Sequence, residues 1–135
     1  MINRNYRRLR FDRVQLVSDT DGVSLVEVSF TFAGSEIKTT ERARGEGDGP
    51  LRAAARATLL AIEQAVEGRF SCALADLDRV NALGKDLIAV LVNLDYKGSH
   101  VQLFGSCQIA GSEIDVAVKA ALNATNRFVE LALRD

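Results

Sequence analysis

The segment Gly45-Glu46-Gly47-Asp48-Gly49-Pro50 most constrains the fold, because three glycines within five positions separate a strand-like stretch from an alanine-rich one. Glycine permits backbone angles and close approaches that a Cβ obstructs, and Pro50 suits the first turn of a helix, where its missing amide hydrogen needs no partner. The segment therefore reads as a tight turn that launches a helix. The free amides and the positive end of that helix suit a carboxylate or another anion, with Glu46 and Asp48 competing from inside the turn. It is not a dinucleotide fingerprint, since its order is Gly-Glu-Gly-Asp-Gly-Pro after an apparent hairpin. It is not a P-loop either, since no Lys-Ser or Lys-Thr pair stands at the helix start.

Upstream, Val14-Gln15-Leu16-Val17 begins a strand and Asp19-Thr20-Asp21-Gly22 is a turn signal. Val26, Val28, Phe30 and Phe32 then recur at every second position, with Glu27, Ser29 and Thr31 between them, as a sheet buried on one face requires. Gly34-Ser35 reverses the chain, and Glu36 to Arg44 returns with Ile37, Thr39 and Ala43 on the inward register. Downstream, Pro50 to Val66 is predicted as helix. Its apolar positions are Leu51, Ala54, Ala55, Thr58, Leu59, Ile62, Ala65 and Val66, at three- and four-residue spacing. Gly68 ends it.

A second unit follows. Phe70, Cys72 and Leu74 alternate, whereas Asp76-Leu77-Asp78-Arg79-Val80 is irregular and marks either a strand end or a bulge. Leu87 to Tyr96 is the strongest strand, Lys97-Gly98-Ser99 its turn, and His100 to Ala110 the next strand, with Val101, Leu103 and Gly105 on one face. Gly111-Ser112 precedes a helix from Glu113 to about Leu133, with an apolar seam at Ile114, Val118, Ala121, Leu122, Thr125, Val129 and Ala132; Ser112 is its predicted cap. Arg52 to Leu59 aligns without a gap with Asp115 to Leu122. The preferred reading is an internal duplication of a βββα unit, against a coincidence of alanine-rich helices. The expected fold class is α+β: one domain over 1–135, with repeats at 13–67 and 70–133 and antiparallel strands, in one sheet or two, covered by two alanine-rich helices.

With 135 residues and 47% hydrophobic composition, the chain can build one substantial core. Seventeen basic and eighteen acidic side chains leave a formal charge of -1, which does not recruit nucleic acid. Arg4, Arg7, Arg8, Arg10 and Arg13 form a local basic arm around Tyr6 and Phe11, without a reading module behind it. No apolar run suits a secretory signal or a bilayer span, so a cytoplasmic protein is the default expectation. Cys72 and Cys107 read as two buried thiols, with a bridge or a reactive thiol as alternatives. His100 has no metal-ligand spacing around it. Asp76, Asp78, Asp86 and Asp95 read as turn charges, so no catalytic, metal or cofactor site is assigned.

The first glycine-rich turn, followed by Ala54 and its helix, resembles that of the C-terminal regulatory domain of 2-isopropylmalate synthase. Gly111-Ser112-Glu113-Ile114-Asp115-Val116-Ala117, continuing to Ala124-Thr125-Asn126, resembles that family's matching helix start, so the likeness spans nearly the whole chain. It implies a regulatory and dimerisation domain whose paired units form a pocket for an amino-acid end product, with catalysis on a separate barrel that this chain lacks. The expected ligand-binding residues are Gly45, Glu46, Gly47, Asp48, Gly49, Gly111, Ser112, Glu113 and Ile114, with Glu46 or Asp48 holding an ammonium group and helix amides a carboxylate. The expected partners are a second copy and a small amino acid. A protein-interaction module without a small ligand is the alternative, and an enzyme recruiting His100, Asp95 and Cys107 ranks third.

Overall fold

The computed structural model describes residues 9–20, 23–44 and 48–134. Gly45, Glu46 and Gly47, Asp21-Gly22, and the arm residues Arg4, Tyr6, Arg7 and Arg8 lie outside the described residues. The elements run β1 (Arg10–Thr20), β2 (Val23–Phe32), β3 (Ser35–Arg44), α1 (Gly49–Ala65), β4 (Phe70–Ala82), β5 (Lys85–Tyr96), β6 (Ser99–Gln108) and α2 (Glu113–Arg134). The strands form two separate antiparallel sheets, ordered β1-β2-β3 and β4-β5-β6. The α+β fold of two βββα units is therefore present, with each helix on the sheet of its own unit.

Hairpin chemistry fixes the register. Ala33-Gly34, Leu83-Gly84 and Lys97-Gly98 each place two successive residues at positive φ, as the tight type I′ turn of a two-residue hairpin demands. Ala33-Gly34 and Lys97-Gly98 occupy the same place in the two repeats, joining the second strand to the third. From the first of these turns, Val26, Val28 and Phe30 fall on the inner face and are completely buried. The second puts Ile88, Val90, Val92 and Leu94 in the same position in the other sheet.

The helices are buried over a wider arc than their sequence seams indicate. Ala53, Ala57 and Ala61 in α1, and Val116, Ala117, Ala120 and Ala124 in α2, are buried in addition to the expected positions, of which Ile114 and Leu122 are only half-buried. The reason is that each helix packs against its own sheet, against the other helix, and against one edge strand of the other sheet: α1 touches β4 and α2 touches β1. One apolar cluster consequently joins both repeats. Three of the four buried hydroxyls among the described residues bond to backbone carbonyls: Thr58 donates to Ala54 at 2.8 Å, Thr125 to Ala121 at 3.0 Å, and Thr39 on β3 to Ala57 at 2.6 Å; the fourth, that of Ser29 on β2, has no partner. Phe70, Tyr96 and Phe128 close one end with two edge-to-face contacts, at 6.3 and 6.1 Å between ring centroids.

A close approach lies at Gly105 on β6, where a Cβ would stand 2.4 Å from both the Ala120 carbonyl oxygen and the Ala124 amide nitrogen of α2. Both obstacles are helix backbone, so relief would require α2 to move off its sheet. Gly105→Ala is expected to destabilise the fold by about 3 kcal/mol, lowering the melting temperature by about 10 °C. A calorimetric scan that leaves the midpoint unchanged would show that α2 does not lie this close.

Candidate functional site

The two helix N-termini are drawn together by a residue of β4. Cys72 and Leu74 face inward opposite Leu94 and Val92, but the β4–β5 register shifts between Leu74 and Asp76. The extra residue reverses the alternation, so that Leu77 and Arg79, opposite Val90 and Ile88, take the inner face. Without this bulge the Arg79 side chain would be directed to the outer face. With it, Nε of Arg79 donates to Oε2 of Glu113 at 2.6 Å, and its Nη1 bonds to Oδ1 of Asp48. Glu113 is the first residue of α2 and Asp48 immediately precedes α1. The hydrogen bond to Glu113, followed by that to Asp48, holds Arg79 above its already high pKa.

Each carboxylate stands near the positive end of a helix, where negative charge is favoured. Asp48 makes no side-chain cap; its carbonyl accepts the Arg52 amide at 2.9 Å while its carboxylate goes to Arg79. At the other start the Ser112 carbonyl accepts the Val116 amide at 3.2 Å. A second clasp lies alongside. Arg52 of α1 donates to Oδ1 of Asp76 at 3.0 Å and to the Leu77 carbonyl at 2.9 Å. The Arg52 hydrogen bond, followed by that of the Leu77 amide, holds the Asp76 carboxyl below its ordinary range.

Of the residues expected to bind a ligand, Asp48 and Glu113 therefore meet through Arg79. Gly49 opens α1; Gly111, with φ of 72°, and Ser112 are exposed beside Glu113, and Ile114 is half-buried. Gly45, Glu46 and Gly47 lie outside the described residues. Sequence reading missed Arg79, although the phase change of the apolar positions, from Phe70, Cys72 and Leu74 to Leu77, was the signal of the bulge that places it.

The remaining groups separate. His100 Nδ1 and Asp95 Oδ1 share a hydrogen bond on the exposed outer face of β5 and β6, beside the Asn93–Gln102 pair at 3.0 Å. These four line a shallow, open depression with Val101. Cys107 pairs with the fully buried Ile88 on the inner face, so the constellation of His100, Asp95 and Cys107 does not assemble. Among the described residues, no group of three His, Cys, Asp or Glu side chains could hold a metal ion, and no helix is long and apolar enough to cross a membrane. Both cysteines are free and partly buried rather than fully so. Burial, then the nearby Glu63 carboxylate, pushes the Cys72 thiol up to about 12. Burial likewise raises Glu63, against a lowering hydrogen bond from the Cys72 amide. A comparison of the sequence with protein-family models and with curated proteins finds no match.

Arg79→Gln should cost about 1 kcal/mol of stability, the exposure of the cluster keeping the loss below that of a buried charged hydrogen bond. The difference from wild type should shrink at high salt, and equal denaturation midpoints at low salt would contradict the clasp. For Cys72, a folded pKa raised from 9.0 to about 12 means that the folded state holds its proton longer than the unfolded chain does. Its contribution is present below pH 9.0 and is lost as pH rises toward about 12. The stability of wild type relative to Cys72→Ala should fall across that window by up to about 1.4 kcal/mol per pH unit. A difference independent of pH would refute the assignment.

Proposed function

We propose that the chain is a noncatalytic, homodimeric regulatory domain that binds a small amino acid at its paired helix N-termini. The observation that carries this reading is the Arg79 bridge between Asp48 and Glu113, which gathers both signs of charge where two helices begin. A zwitterion needs both. Its carboxylate would compete for Arg79 and the helix amides, and its ammonium group would take the carboxylate thereby released. The likeness of both helix starts to the regulatory domain of 2-isopropylmalate synthase supports the same reading, and a separate catalytic barrel is what it implies the domain regulates.

Calorimetric titration with the proteinogenic amino acids should give a saturable heat for at least one of them, weakened roughly tenfold or more in Arg79→Gln. No saturable heat for any of them would reject amino-acid sensing.

The alternative, a protein-interaction module without a small ligand, draws on the outer face of the second sheet. There Phe104, 67% exposed, stands opposite Leu91, with Leu87 and the exposed Val80 along the same face. A second copy covering this face would satisfy both readings, since each includes a dimer. Phe104→Asp should convert the dimer to monomer in sedimentation at micromolar concentration; a wild-type chain already monomeric there would remove the dimer from the proposal.

A further inference from the structure

We draw no further inference here: the strongest candidate, the buried and unpartnered hydroxyl of Ser29 on the outer face of β2 between Arg13 and Lys38, is closed to solvent beside carboxylates of Glu27 and Glu36 that already hold Lys38, so nothing there points to a ligand.

Discussion

The packing of α1 against α2 is the interaction on which the rest of the structure depends. A unit of about 60 residues, three strands and one helix, is only marginally stable by itself, and joining two such units lets each helix bury a second arc. Small side chains make this possible. Ala53, Ala54, Ala57 and Ala61 in α1, with Ala117, Ala120, Ala121 and Ala124 in α2, are all buried, and the distance between packed helices depends on the side chains at their contact. Gly105 extends the same economy of space to the sheet, bringing α2 against the backbone of β6. Each helix also reaches an edge strand of the other unit, so the repeats share one core.

This shared core determines where charge gathers. Two helices that begin near each other present two positive dipole ends, which favour carboxylates such as Asp48 and Glu113. Two carboxylates brought together repel, and a cation between them offsets the repulsion. Arg79 supplies it because one extra residue in β4 turns its side chain inward. A backbone irregularity of one residue thus decides which face of the sheet carries the cation, and through it the electrostatics of both helix starts. Arg52, bound to Asp76 and the Leu77 carbonyl, ties the same stretch of β4 to α1.

Much of this architecture was legible in the sequence. The alternation from Val26 to Phe32, the glycines after Ala33 and Lys97, and the ungapped match of Arg52–Leu59 with Asp115–Leu122 all describe real features. Ala53, Ala54, Ala55 and Ala57 are buried, as are their counterparts Val116, Ala117, Val118 and Ala120, while Arg52 and Asp115 are both only partly so. Local periodicity reports a side chain's relation to its own element, and that sufficed here. It does not report a second partner. Ala53 and Ala57 carried no signal beyond helix propensity, because alanine is compatible with both buried and exposed positions. The division into two sheets was equally unreadable, since it depends on how edge strands meet in space. Arg79 was hidden for a different reason: its role follows from the phase of β4, and the irregular stretch from Asp76 to Val80 is compatible with either a strand end or a bulge. The site residues were legible only as helix starts, and their meeting through β4 was not.

Native-state hydrogen exchange at the central amides of the two helices, Ala57 to Ile62 and Ala120 to Thr125, tests the shared core most directly. If the helices hold one core between them, both sets exchange only through global unfolding and report the same free energy. Exchange of the α2 amides at a distinctly lower free energy than those of α1, or the reverse, would show that the repeats open independently and would contradict the account.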